Sequence, residues 1–485
     1  MNFFVNYFQP YLRKPAIIVF LVSALAKTIF GFIVLAGVER IISDPDSIGY
    51  YRLAENLRHY GVFSRRETPP FIPDNVITPV YPFFLAALLS LAGGGLWIIP
   101  AAQGLINSLA AVVVFKMGER LFGQRAGFIA GICYGLDPSA LVHTFSLLTE
   151  SLFTFLFLAA NFFLVKSTGN AAVKNLIFSA ILLGLATLCR PVALYYSIVI
   201  VIIVLAMTSQ AFPIRGRNAI FYIGIFAITV SPWLIRNKLT FGVANLTSIS
   251  GNNLLLVNVA YLKAAQERID YATAERRLEA EADSLLAARG LSTEKLKLEY
   301  HGKPYGYQIN DPRQAQVYQE LAVKKIMASP GLYARVHLAG IIPGLFDAGV
   351  RDIYHFRGKE RPTMGLRAMF VAGEIKAAFK KFRSRIDRGY LILYLLNLSW
   401  LIVHYVFMLL AFYKLIKEKS FLSISLLLAP IVYLLLITLP AGSERFRFPA
   451  MPYFYLLSGW ALARMEKTCK KKYTFVCLKS QRQDN

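Results

Sequence analysis

Acidic and basic side chains of this 485-residue chain gather at the ends of long apolar runs, where a charge is costly and a function is its default reading. Asp44 and Asp46, in SDPDSIGYYRLAENL (43–57), follow directly on AIIVFLVSALAKTIFGFIVLAGV, with Tyr50 one turn further on. Glu150 opens an apolar run in HTFSLLTESLF, and Arg190 interrupts an apolar hairpin in TLCRPVALYY. Arg236 ends a run in SPWLIRN, and Arg445 and Arg447 fill the short loop SERFRFP beside Glu444. A carboxylate can take a proton from an attacking hydroxyl. Guanidiniums can neutralise a phosphate that is gaining charge. Carboxylates and guanidiniums on one membrane face therefore suit group transfer to a hydroxyl from a phosphate-bearing donor held at headgroup level.

Each residue also has a plainer reading. Asp44 or Asp46 could cap the helix that begins near Ser47. Glu150 could cap its own run or pair with His143, itself more often a satisfied interfacial residue than a ligand. Arg236 could anchor in headgroups beside Trp233. Asp137-Pro138 reads as a kink. Asn245-Leu-Thr and Asn397-Leu-Ser match the glycan acceptor pattern, which is common by chance. Arg190 is harder to set aside, because Arg-Pro inside an apolar hairpin leaves a guanidinium in need of an anion.

The elements that must position these residues are membrane helices. Hydrophobic residues make up 56% of the chain and charged ones 17%, against roughly 45–50% and about 25% in soluble domains; the mean hydropathy is +0.49. The first run is too long for a signal-peptide core and has no small-residue cleavage site, so it reads as a retained span. The fold class is an all-α polytopic membrane protein with about ten spans of ~20 residues, near 15–37, 97–117, 126–142, 151–165, 175–189, 192–209, 218–235, 390–413, 420–440 and 448–464. A net charge of +25 comes with no nucleic-acid motif, and it flanks the apolar runs, as the positive-inside rule and anionic headgroups require. Cys133 and Cys189 lie in or beside apolar runs and Cys469 and Cys477 in a basic tail, which is not a disulfide framework.

Lys and Arg of the short loops fall on one face when both termini are cytoplasmic. TPVYPFFLAALLSLAGG (78–94) is short and broken by Pro79 and Pro82, so it reads as an interfacial helix. The loop 38–96 and the large polar segment 236–389 then lie outside the cytoplasm, and KAAQERIDYATAERRLEAEADSLLAARG within the latter reads as a solvated helix. Nucleotide sugars are cytoplasmic, so sugar transfer on the outer face would draw on a lipid-linked phosphosugar.

PDSIGYYRLAENLRHYGVFS, TPVYPFFLAALLSLAGG, KMGERLFGQRAGFIAGICYGLDPSALVHTFSLLTESLFTFL, GLATLCRPVALYY, SPWLIRN and SERFRFPAMPYFYLL together resemble the GT-C class of membrane glycosyltransferases. More narrowly they resemble the dolichyl-phosphate-mannose protein mannosyltransferase-like group that includes lipid A aminoarabinose transferases. The resemblance covers most of residues 15–260 and the last two spans. It implies a GT-C transmembrane module over 1–260, an outer helical region over 261–389, and C-terminal helices with a basic cytoplasmic tail over 390–485. It also implies inverting transfer of a sugar from a polyprenyl-phosphate donor to a lipid, glycan or protein acceptor, on the outer face of a bacterial inner membrane. Asp46 falls at the family's essential carboxylate, Glu150 at the acidic residue opening the fourth span, and Arg190 at a basic position between the fifth and sixth. Asp44, Tyr50, Arg236, Arg445 and Arg447 are further substrate-binding candidates. Where the aminoarabinose transferases carry Glu-Lys-Pro, this chain has Ile77-Thr78-Pro79, which removes one metal-ligand candidate. Asp46 and Glu150 remain as candidate ligands for a divalent ion, the one cofactor in view. The alternatives are a transporter or flippase of a lipid-linked or anionic substrate, which would want charges near the bilayer midplane and related halves, and an O-antigen-ligase-like enzyme.

Overall fold

The computed structural model describes residues 14–42, 44–168, 172–206, 211–359, 374–438 and 442–480, with side chains from 466 onward, Cys469 and Cys477 included, outside the description. The chain is a bundle of apolar helices with a small helical and hairpin unit inserted at 249–328. Among the described residues, five helices are long and apolar enough to cross a membrane: α1 (Pro15–Val34), α4 (Ile98–Phe122), α7 (Glu150–Ser167), α10 (Phe212–Phe241) and α17 (Arg388–Lys417). The other expected spans form the apolar helices α8 (Ala172–Cys189), α9 (Tyr196–Ala206) and α18 (Phe421–Thr438), a broken pair, or the final helix α20 (Met451–Ser480). Among the described residues, length and apolarity together are thus met at five of the ten predicted positions.

The broken pair is the third run. α5 (Gln124–Gly135) stops where Pro138 cannot continue the hydrogen-bond ladder. The Asp137 side chain then accepts from Ser139 N and opens α6 (Pro138–Thr144). The run 78–94 yields α3 (Val80–Leu91), whose 12 residues rise about 18 Å, well short of a ~30 Å hydrocarbon core. It buries Tyr81, Leu85 and Leu89 beside α2 (Pro45–Tyr60).

Close helix packing brings the site-bearing ends together. Gly127, Gly131 and Gly135 repeat every four residues on one face of α5, so its backbone can lie against α4 and α1. A Cβ on Gly127 would stand 2.4 Å from the Phe115 carbonyl oxygen, and one on Gly131 3.0 Å from Val19 Cγ1. Lys27 of α1 reaches the end of the same stripe, donating to Gly135 O at 3.2 Å and to Ser23 Oγ at 2.7 Å. α7 fills the centre: Phe153, Phe157, Leu158, Ala160 and Leu164 are fully buried, and it meets both α4 and α8.

One expectation needs correction. The charged stretch read as a solvated helix has a buried stripe: Leu278, Ala282 and Leu286 of α12 (Tyr271–Ala288) pack with Leu255, Tyr318 and Leu321. Strong charge alternation on one face hid an apolar stripe of ordinary helical period on the other. The fold is otherwise helical, as expected, and among the described residues β1 (Leu296–Tyr300) and β2 (Lys303–Gln308) add one antiparallel hairpin. Four residues on, α13 (Pro312–Ala328) closes this second core.

The glycine stripe is testable. Gly127→Ala should destabilise by about 1–3 kcal/mol, because the added methyl meets backbone on the facing helix. Gly224→Ala, at a helix position with open space around it, should be neutral or slightly stabilising. Thermal unfolding of both variants in detergent checks the contrast; equal effects would refute the close approach.

Candidate functional site

α2 begins at Pro45, a residue suited to the first helical position because its missing N–H is not needed there. Asp44 stands at the N-cap and its carbonyl accepts from Ile48 N, but its side chain makes no capping bond, so the plain reading of its carboxylate does not hold. Asp46 sits in the first turn with its side chain about half exposed at 49%. Tyr50, one turn on, packs edge-to-face on Tyr81 with ring centroids 5.0 Å apart, and the Tyr81 hydroxyl donates to Gln103 Oε1 at 3.0 Å. Burial, then the neighbouring Asp46, pushes the Tyr50 phenol above its usual range, so at neutral pH it is an O–H donor.

Three other elements meet at Asp46. Glu150, the first residue of α7, is fully buried, and its Oε1 accepts from both Arg190 Nη1 and Arg445 Nε. Arg190 follows α8, leads into a short turn at Pro191–Ala193, and lies over the Phe153 and Phe446 rings at 5.6 and 5.7 Å. Arg445, in the short helix α19 (Glu444–Arg447), turns its Nη1 to Asp46 Oδ2 at 2.7 Å. Burial opposes the charge on Arg445, and Glu150 and then Asp46 more than offset this, holding the guanidinium firmly protonated. Asp46, Glu150, Arg190 and Arg445, with Tyr50 in their field, therefore form one cluster.

Two predicted site residues stand apart from it. Arg447 is fully buried, and its Nη1 donates to the carbonyls of Gly344, Leu345 and Asp347 at 2.6, 3.0 and 2.9 Å. It pins α19 to the end of α14 (Pro330–Phe346). Arg236 donates to Asp74 O at 2.7 Å and lies among Trp233, Phe241 and Phe63, 4.7 to 5.5 Å from their centroids. Both bind backbone carbonyls and so hold the frame rather than the cluster. A backbone carbonyl carries no residue signature, which is why spacing did not expose their roles.

Several supporting residues escaped the sequence reading. His143 Nε2 meets Glu444 Oε2 at 3.1 Å, and Asp347 Oδ2 accepts from Glu444 N at 3.1 Å, so the residue before Arg445 is fixed from two sides. His143 was offered to Glu150; it pairs with Glu444 instead. Thr78 Oγ1 donates to Cys189 O at 3.1 Å and ties the outer loop to the residue before Arg190. Buried Asp74 binds Arg65 and takes the backbone N–H of Val76 and Ile77 at 2.9 Å each. Tyr305 of β2 turns a buried hydroxyl, without a partner among the described residues, toward Gly49. Only the polar run 64–78 offered a hint of these contacts; the hairpin lies over 200 residues further along the chain.

Asp46 and Glu150, the two candidate ligands of a divalent ion, are bridged by a side chain instead. The Arg445 guanidinium lies between them, and among the described residues no three His, Cys, Asp or Glu side chains gather closely enough to hold a metal.

Residues 76–235 match the family model described as dolichyl-phosphate-mannose-protein mannosyltransferase. The structure is similar to the archaeal oligosaccharyltransferase AglB from Archaeoglobus fulgidus in complex with an inhibitory peptide and a dolichol-phosphate. The TM-score is 0.51 at 14% identity, over 98% of this chain and 52% of that one. It is also similar to the Archaeoglobus fulgidus oligosaccharyltransferase tethered with an acceptor peptide, at TM-score 0.51 and 13% identity over 96% and 50%. This chain thus spans about half the length of those enzymes, and identities this low speak to the fold alone. The likeness to ArnT from Cupriavidus metallidurans, at TM-score 0.38 and 13% identity over 92% of this chain and 77% of that one, is too loose to argue from. No curated protein matches the sequence.

Two measurements test the cluster. Glu150→Ala leaves two guanidiniums without their shared anion and should cost about 3–5 kcal/mol of unfolding stability; Arg190→Ala, which leaves Glu150 bonded to Arg445, should cost less. The Glu444 carboxyl would be pushed up by burial, but the His143 charge and hydrogen bond, with Arg447 and Arg351, hold it below its ordinary 4.5. A depressed folded value means stability that is full above 4.5 and lost as pH falls through the folded value. Unfolding midpoints followed from neutral pH into the acid range should therefore fall less steeply in Glu444→Gln than in the wild type.

Proposed function

We propose, from the premise that this chain has the GT-C glycosyltransferase fold and matches the dolichyl-phosphate-mannose-protein mannosyltransferase model over residues 76–235, that it is an inverting glycosyltransferase using a polyprenyl-phosphate sugar. The acceptor is a hydroxyl of a lipid, glycan or protein presented on the outer face of a bacterial inner membrane. The observation that carries this reading is the union of Asp46, Glu150, Arg190 and Arg445 at the ends of apolar helices, with the Asp46 carboxylate the open one of the two.

Each group has a distinct task in this reading. Asp46 accepts the proton of the acceptor hydroxyl as that oxygen forms its bond to the anomeric carbon. The bond from the anomeric carbon to the phosphate oxygen breaks with its electron pair leaving on the phosphate. Attack from the face opposite the leaving group inverts the anomeric centre. Arg190, partly exposed and set on two aromatic rings, offers its free N–H groups to the departing phosphate. Glu150 touches no reacting atom; it aims Arg190 and Arg445. Tyr50, kept protonated, can donate to the phosphate or to a sugar hydroxyl. The gathering of these charges at helix ends, away from the middle of the spans, favours transfer over the transporter alternative.

Asp46→Asn should lower transfer from a purified polyprenyl-phosphate sugar by about 10²–10⁴-fold. Its thermal unfolding should barely change, because a half-exposed ion pair contributes only about 0–1 kcal/mol. Full activity in that variant would remove Asp46 as the base. Arg190→Ala should raise the KM for the donor more than it lowers kcat at saturation, and an unaltered donor dependence would exclude the phosphate contact. Mass spectrometry of envelope lipids and glycans from cells with and without the gene would identify the acceptor class.

A further inference from the structure

We propose that Arg445 is a built-in substitute for a divalent cation: its guanidinium takes the place between Asp46 and Glu150 that a metal ion would otherwise hold, so the site works without one. The transferase reading enters only in saying which phosphate the site receives; the placement of Arg445 stands without it.

The geometry is that of a bridge. One guanidinium uses Nη1 on Asp46 Oδ2 at 2.7 Å and Nε on Glu150 Oε1, joining carboxylates of two different helices. Those carboxylates lie 399 and 295 residues from it along the chain. Two oxygens of separate acidic residues converging on one small cationic centre is the arrangement a divalent ion would require, but the centre is a fork with fixed donor directions. The charge count agrees. Asp46 and Glu150 supply two negative charges, and Arg190 and Arg445 supply two positive ones, so the cluster is balanced before any ion enters. An added divalent ion would sit within a few ångströms of two guanidiniums, an unfavourable contact in a partly dry site. Among the described residues the buried Glu150 Oε2 has no donor, and one oxygen is far from the six to eight that hard cations gather.

Arg445 is also held so that it cannot readily swing away. Glu444 before it is fastened by His143 and Asp347, and Arg447 after it by three backbone carbonyls. An ion displacing Arg445 would have to break its bonds to Asp46 and Glu150 while the backbone on either side stays fixed. A departing phosphate would then find its positive charge on Arg190 and on the remaining N–H groups of Arg445.

Metal-stripped full-length protein in detergent, titrated with Mg²⁺ and Mn²⁺ and followed by calorimetry and thermal unfolding, tests this without any turnover. Wild type should show neither site-specific binding nor a shift in Tm at millimolar ion. R445Q, which leaves two carboxylates facing one guanidinium, should gain an ion site at least 10-fold tighter than anything in the wild type, with a matching rise in Tm. D46N/R445Q should lose it again. Should R445Q not fold, R445K serves: its point charge bridges less well, and it should show the same gain more weakly. One equivalent of ion bound by the wild type and lost in D46N overturns the proposal, as does a folded R445Q that gains no site. In the transfer assay, EDTA-treated wild type should keep its rate, and a loss restored by added ion would count against the substitution. Absence of transfer under every condition would instead count against the transferase reading, leaving the ion titrations to decide on Arg445.

Discussion

Glu150 is buried at the head of the central helix, where an ionised carboxylate would be untenable alone. Removing such a charge from water costs several kcal/mol even after the surroundings relax. Two guanidiniums on its Oε1 offset that cost, since hydrogen bonds to charged groups contribute about 1.5–3 kcal/mol each. The partners come from the turn after α8 and from the loop before α20. Folding therefore cannot complete around Glu150 until both segments are in place, and when they are, Arg445 has been delivered to Asp46. A single desolvated carboxylate couples assembly of the bundle to assembly of the site.

The remaining arginines show how the same side chain is put to different uses. Arg447 and Arg236 spend their donors on backbone carbonyls that no helix or strand satisfies, which locks two irregular stretches beside the site. Arg190 and Arg445 meet carboxylates and keep an edge toward solvent. All four stand at ends of apolar helices, so membrane depth alone does not separate them. What does is whether an acidic residue from another helix comes within reach.

The polar unit at 249–328 adds a second wall. Its hairpin is tied to the first outer loop by Arg65 to Gln308 Nη1–Oε1, Asn310 to Pro73 O at 2.8 Å, and Gly302 N to Glu67 at 3.1 Å. These bonds carry the Tyr305 hydroxyl toward Gly49, one turn from Asp46 on the same helix face. An insertion with its own small core thus brings a buried polar group into the neighbourhood of Asp46.

The membrane class, the approximate positions of the apolar helices and the helix break at Asp137-Pro138 were legible in the sequence, because long apolar runs and prolines act locally. So was the short list of ionisable residues at helix ends, since burying a charge is costly wherever the chain goes. The partners were not legible. Asp46 with Arg445, His143 with Glu444 and Arg447 with three carbonyls are contacts across roughly 100 to 400 residues, and no spacing rule spans such distances. The hairpin stayed hidden for a related reason: Leu296 to Tyr300 alternates apolar and polar residues, but a five-residue run beside a long charged helix is too short for its period to decide. Residue type and burial cost determined which groups could act, and packing of the helices decided which of them meet.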